Sequence, residues 1–576
     1  MHVHHHQPEG PAAHVSEIGE VQVEQIQVNS VLTSKHIHPV ITDHIVGADE
    51  EALAALGYKQ EFKREFGLWS SFSVSFSLLG LLPSIASTLV YGLGYAGTAG
   101  MTSGWIGSMV GILAVACSMA ELCSSMPTSG GLYYAAAVLA PPGWGPLAAW
   151  ITGWSNWLCQ VTSSPSIDYA LASMMLALKS MHDPSYSASN YQIYLLTVAI
   201  MIVQSIISSM STKFLARFNS AGTIFNSIAL VIAFIVILAG NERDSPKFNK
   251  SSDVWGTIDN QTEWPNGIAM LMSFVAIIWT MSGYDAPFHL AEECSNAAVA
   301  SPRAIVMTAS IGGIFGWILQ IAIAYTVTDI NAVFEDELGQ PFVTYLTQCL
   351  SNKLVNFITA LTIVSAFFMG QASMIAASRV CYAYSRDGCF PASFIMATVN
   401  KYTGTPVNAV WFNTIIGCLL LLLIFAGDVA IGAIFSVGAI ASYVAFTIPI
   451  AMRIFFARKT FRKGPWHLGN YSFPIGLLSC MFVLVMIPIM CFPWARGADN
   501  TPDQMNWTCV VYFGPMLIAI SWYFIYARTF FKGPKVNIEH AIYDTADDQV
   551  VVNNPTGVYD GVETTPYHSS EKSKEV

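Results

Sequence analysis

The chain has 576 residues, 53% of them hydrophobic and only 11% charged, against about 25% charged in an ordinary soluble protein. Its mean hydropathy of +0.49 and its many apolar runs near 20 residues exceed what a soluble core could hide, so lipid is the expected solvent for the outer surface. The net charge of −11 sits largely in tails and loops. No basic block or aromatic RNA motif points to nucleic acid, and no His-box, GxSxG, P-loop or HExxH pattern points to an enzyme.

The first 65 residues are polar and open on the tract Met1-His2-Val3-His4-His5-His6, which reads as a disordered tail or an expression remnant rather than a metal site. No signal peptide is visible, so the first span is expected to act as an uncleaved anchor. About twelve spans are predicted, near 68–91, 102–124, 146–178, 191–211, 219–240, 266–292, 304–327, 354–384, 407–425, 430–456, 474–492 and 508–530. The expected organisation is a cytosolic, mostly disordered tail over 1–65, a twelve-helix unit over 66–530 and a cytosolic tail over 531–576. The third, sixth and eighth spans are long, which implies tilt or protrusion. With the N-terminus inside, seventeen Lys and Arg fall on the inner side and six on the outer side; this bias predicts cytosolic termini.

Smaller signals sit along these spans. Gly107 and Gly111 in the second span, and Gly312 and Gly316 in the seventh, form small-xxx-small faces suited to close helix packing. The sequons at Asn249, Asn260 and Asn506 fall in predicted outer loops, and that at Asn470 falls inside. None of the eleven cysteines shows zinc-ligand spacing. Cys491 and Cys509 flank the last outer loop, where isolated thiols are expected over a pair. The glycine-rich stretch from Tyr91 to Gly97 reads as an outer loop. No metal and no cofactor is expected.

Two spans are broken at their middles. The first carries Gly80-Leu81-Leu82-Pro83-Ser84, and the sixth carries Ser282-Gly283-Tyr284-Asp285-Ala286-Pro287. Interrupted backbone at bilayer depth is tolerable only where it is buried in protein or lines a cavity. A matched pair of interruptions in the two halves of a chain points to a secondary transporter's substrate site. Each span restarts as a half-helix whose N-terminus, with free N–H groups and a positive dipole end, suits a carboxylate. Gly80 and Gly283 allow close backbone approach, and Pro83 has no N–H to lose. Gly80, Leu81, Leu82, Pro83, Ser84, Ser282 and Gly283 are therefore candidate substrate contacts.

Trp279, Tyr284 and Asp285 add an aromatic face and a carboxylate that can hold an ammonium, and Asp285, an intramembrane acid, can also carry a proton. In the third span Asn156, Gln160, Ser163 and Ser164 recur at helical spacing, with Asp168 one turn further on. That stripe suggests a wet path, in which Asp168 serves coupling or lies as a solvated acid near the outer mouth. Ser365, Gln371 and Ser373 of the eighth span offer groups for an ion. The fifth span has no lysine to replace one, only Asn226 and Ser227. At the cytosolic ends Glu121, Glu292, Glu293, Arg303, Arg379, Arg386 and Asp387 are placed for an inner gate.

Several of these segments match a known family. The stretch Met119-Ala120-Glu121-Leu122-Cys123 to Gly130-Gly131-Leu132-Tyr133-Tyr134 resembles the second-span signature of the amino acid–polyamine–organocation superfamily, and Tyr384-Ser385-Arg386-Asp387-Gly388 looks like its eighth-span exit motif. The stretch from Leu56 to Arg64, with Gly80-Leu81-Leu82-Pro83-Ser84 and Ser166-Ile167-Asp168-Tyr169, resembles the fungal amino acid/choline transporter family, and its GABA permeases more than its choline permeases. The similarity covers about 55–535. It implies a LeuT-type fold, with two inverted five-helix repeats and two extra C-terminal helices. It also implies uptake of a small amine-bearing solute, with protons as the coupling ion. The superfamily's glycine-serine-glycine signature is absent from the first span, which weakens any transfer of substrate contacts.

The resulting expectation is an all-α polytopic permease of the plasma membrane, or of the vacuolar membrane. It would import GABA or a related amino acid by proton symport with alternating access. A choline or polyamine permease on the same scaffold is the alternative, and a non-transporting nutrient sensor the rival from another class.

Overall fold

The structure, a computed structural model, describes residue 47 and residues 49–534, apart from 184, 336–337, 498–500 and 502–504. The His-rich tract and the chain from 535 lie outside the described residues. Long apolar stretches with good helix formers fold as helices because lipid leaves the backbone no partner but itself. The principal helices are α1 (Leu68–Leu79), α2 (Leu81–Ser125), α3 (Gly145–His182), α4 (Asn190–Ser208), α5 (Thr212–Ala239), α6 (Asn266–Thr280), α7 (Ala286–His289), α8 (Ala297–Thr326), α9 (Asn352–Arg386), α10 (Val407–Leu420), α11 (Asp428–Ala451), α12 (Ser472–Ile489) and α13 (Thr508–Ile525). Among the described residues, nine helical segments are long and apolar enough to cross a membrane.

α2 holds two crossings. A straight helix of its 45 residues would run about 67 Å, well past a bilayer. It folds back at Ala96 and Gly97, the latter at φ 59°, so that a Cβ on Gly92 would lie 3.4 Å from Met101. The stretch from Tyr91 is thus not the loop expected from its glycines: it stays helical to Tyr95, and the reversal takes two residues.

The small-xxx-small faces do pack. Gly312 receives Leu79, and a Cβ on Gly316 would stand 2.7 Å from the Trp105 ring, whose Nε1 donates to the Gly313 carbonyl at 2.9 Å. Gly111 receives Phe482 of α12. Because lipid is as apolar as leucine, such contact, not water exclusion, holds α2 to α8 and α12.

Residues 49–65, expected within the disordered tail, are packed in place. Tyr58, Phe62 and Phe66 are buried, and Phe66 trades backbone hydrogen bonds with Glu293 and Ser295 at 2.9 and 2.8 Å. Cys491 and Cys509 are both free thiols. Asn249, Asn260 and Asn506 each donate their side-chain amide to backbone carbonyls, and a glycan would replace one of the two amide hydrogens.

Candidate substrate site and its seal

Both expected interruptions are present, and they are unequal. The first is one residue wide: Gly80 takes the left-handed conformation, φ 44° and ψ 57°, between α1 and α2. Ser84 repairs it, its hydroxyl donating to the stranded Leu79 carbonyl at 2.6 Å. The second spans Met281 to Asp285, with Gly283 at φ 108°, and restarts as α7, only four residues long. α1 fastens the second break: the Ser75 hydroxyl donates to the Gly283 carbonyl at 3.0 Å.

A small cavity of about 40 Å3 lies beside the second break, walled by α1, α3, α9, α11 and the Trp279–Asp285 segment. Gln160, Trp279, Ser282, Gly283 and Asp285 line it as the sequence suggested, joined by Leu78, Cys159, Thr162, Ser163, Ser166, Ile167, Met369, Gly438, Ser442 and Phe446. Gly80, Leu81, Leu82, Pro83 and Ser84 do not line it. A Cβ on Gly80 would strike Met369 at 2.6 Å, so that glycine serves helix packing. Tyr284 turns away to Phe446 and Tyr443, and Asn156 lies outside the wall, toward the seal.

The cavity is rich in acceptors and poor in donors. Each lining hydroxyl spends its proton on its own segment: Thr162 on Leu158 (2.8 Å), Ser163 on Cys159 (2.8 Å), Ser166 on Ser163 (2.8 Å), Ser282 on Ile278 (2.9 Å) and Ser442 on Ala439 (2.9 Å). What these groups turn to a ligand is lone pairs. Among the described residues, Asp285 is the one carboxylate in the wall, and no Lys or Arg is there. Gln160 Nε2 at 3.3 Å and His289 Nε2 at 3.1 Å both meet its Oδ2; its Oδ1 takes no hydrogen bond from the described residues.

His289, which the sequence reading passed over, is fully buried one turn after Asp285. The signal was available: an acid and a histidine four apart share a helix face. From His289 the polar chain continues to Asn156 (3.4 Å), whose amide donates to the Tyr384 hydroxyl at 2.9 Å.

Beyond Tyr384 lies a thick seal on the face where Lys and Arg gather. Arg386 grips Glu292 with two bonds of 3.0 Å, and Thr128 and the Ser129 N–H share that carboxylate at 2.8 and 3.0 Å. Arg379 binds Glu293 at 2.7 and 3.2 Å, both side chains wholly buried. The 49–65 segment locks over them. Tyr58 covers the Arg386 guanidinium at 4.0 Å and donates to Asp387 at 3.0 Å, while Tyr382 donates to Glu61 at 2.5 Å.

Three expected roles are corrected. Glu121 is no member of this seal: it pairs with Arg453 at 3.4 Å and with Ser472, fastening the α11–α12 junction. Arg303 is exposed and joins no ion pair among the described residues. Asp168 is no solvated acid: it is fully buried between α3, α4 and α9, with Oδ1 accepting from Gln204 at 2.8 Å and Oδ2 unpartnered. Ser365 is buried on α9 away from the cavity, its hydroxyl unpartnered. Ser373 accepts from Ser164 at 3.1 Å and Gln371 donates to Ser208 at 2.6 Å.

Comparison with known proteins agrees with this architecture. A family model described as amino acid permease matches residues 66–515. An uncharacterised amino-acid permease of Schizosaccharomyces pombe is 60% identical over 495 residues, 86% of this chain and 91% of the relative. A Candida albicans protein named "Putative polyamine transporter" is 52% identical over 518 residues, 89% of this chain and 93% of its own length. An amino-acid permease of Arabidopsis thaliana is 32% identical over 508 residues, 86% of this chain and 98% of the relative. With a family model spanning most of its length and relatives matched nearly end to end, the chain belongs to the amino acid permease family of the amino acid–polyamine–organocation superfamily.

Proposed function

We propose that this permease imports short linear organic amines by proton symport, with a diamine or polyamine as the preferred cargo. The observation that carries this reading is the charge balance of the cavity. One carboxylate, an indole and a ring of lone pairs suit an ammonium by ionic, cation–π and hydrogen-bond attraction. Among the described residues no cationic side chain there answers a carboxylate: the restart at α7 is too short for an appreciable dipole, and the N-terminus of α2 lies off the cavity. The name of the Candida albicans relative supports the same choice. GABA is the second reading. It shares the aminoalkyl end of putrescine, and the family's description as amino acid permeases favours it.

Asp285 and His289 form the coupling pair in this account. Cargo on Oδ1 and a proton on the His289 side occupy opposite edges of one carboxylate, so both are bound together in the state that crosses, as symport requires. Asp168, buried with a bare oxygen, is a second place for a proton. The two interrupted spans support the LeuT-type repeat, and the Lys/Arg-rich face is taken as cytosolic, with the plasma membrane as the site of action. Binding then moves the balance between facing states by differential affinity.

Proteoliposomes with an imposed pH gradient test this. Saturable putrescine uptake that collapses with the gradient, and GABA uptake inhibited by putrescine, are expected. Saturable GABA uptake indifferent to putrescine sinks the polyamine reading, and accumulation independent of the gradient sinks proton symport.

A further inference from the structure

A second, larger cavity opens on the face opposite the seal. It holds about 560 Å3 of space against about 40 Å3 for the cavity beside Asp285. Five rings line it: Tyr91, Tyr95, Phe334, Trp494 and Trp507. Tyr95 and Trp494 stack at 4.2 Å, with Phe334 edge-on to Trp494 at 5.2 Å. Gly94 makes that grouping possible, since a Cβ there would meet Trp494 at 2.6 Å and Phe334 at 3.1 Å. Among the described residues, the one charged side chain in the wall is Glu263. It is held in place by its own N–H on the Trp494 carbonyl at 3.2 Å and by the Arg496 N–H on its Oε2 at 2.5 Å. The Arg496 guanidinium is engaged elsewhere, over Trp264 at 4.8 Å.

Several rings and one carboxylate, with no basic side chain among the described residues of the wall, select an organic cation. We infer that this cavity is a capture site for alkylammonium ions, which hold there before passing to Asp285. This rests on the reading that the permease carries amines. The two cavities share a wall: Gly432, Ala433 and Ser436 of α11 face the outer one, and Ile434, Gly438 and Ala439 the inner. A captured amine is therefore about one helical turn from the central cavity. Tyr91 stands at the partition, its hydroxyl 3.5 Å from where a Cβ on Gly432 would be.

Equilibrium binding of labelled putrescine to the purified full chain tests the site by stoichiometry. Two amines per chain are expected. Glu263→Gln, which keeps the acceptor for Arg496, and Trp494→Leu should each weaken only one of the two by about tenfold, the scale of losing one strong cation–π or ionic partner. Asp285→Asn should remove only the other. One amine per chain, lost with Asp285→Asn and untouched by Glu263→Gln, overturns the capture site and leaves the central reading intact. Two amines unaffected by either outer variant overturn it as well. No binding at all overturns both.

Discussion

Gly283 offers the sharpest test of the site. In the structure it sits at φ 108°, a conformation that side chains rarely adopt, and a Cβ there would stand 2.6 Å from Leu78 Cγ. Gly283→Ala therefore meets two separable costs. Backbone strain is about 1–3 kcal/mol, and overpacking against Leu78 adds about 1–3 kcal/mol. Together they disfavour the sealed conformation by about 2–6 kcal/mol, or about thirtyfold to beyond ten-thousandfold at 1.4 kcal/mol per factor of ten. Leu78→Ala lifts only the second cost, so the double variant should regain about fivefold to a hundredfold over Gly283→Ala alone. The assay is the initial rate of labelled putrescine uptake per molecule at the cell surface, with Leu78→Ala measured separately because Leu78 also lines the cavity. Wild-type uptake by Gly283→Ala, or a double variant no better than the product of the singles, would refute the steric argument.

Asp285→Asn should abolish putrescine uptake while surface expression persists, since an amide leaves the ammonium without its counter-charge; wild-type kinetics from acidic to neutral pH would rule out both its cargo and its proton roles. His289→Gln keeps a donor toward Asp285 but cannot take up a proton. It should retain putrescine binding and carrier exchange while losing accumulation driven by a pH gradient, and normal accumulation would remove His289 from coupling. Arg386→Gln leaves Glu292 buried without its partner, which costs about 3–5 kcal/mol in the sealed state. Thiol reagents should then reach Cys159, which lines the central cavity, more than tenfold faster from the Lys/Arg-rich face, and unchanged labelling would show that the pair is no gate.

Local chemistry was readable from the chain. Span lengths, the two breaks and the glycine faces follow from runs of neighbouring residues, because a lipid-exposed backbone must satisfy itself within a few positions. Asp285, Trp279 and Gln160 were found at the cavity by the same logic: a polar group on an apolar helix needs a reason. His289 was within reach by its spacing from Asp285 and was overlooked.

Tertiary pairing decided the rest. Nothing local distinguishes Glu121, which binds Arg453 more than three hundred positions on, from Glu292, which binds Arg386 and belongs to the seal. Nor does the sequence say that Asp168 is wholly buried, that Tyr58 lies over Arg386, or that Tyr95, Glu263, Phe334 and Trp494 meet in one cavity. Composition and periodicity determine which stretches cross the membrane and where they are interrupted. Which charges neutralise one another, and whether a break faces a ligand or a methionine, depends on contacts between distant segments, which exist only once the helices have packed.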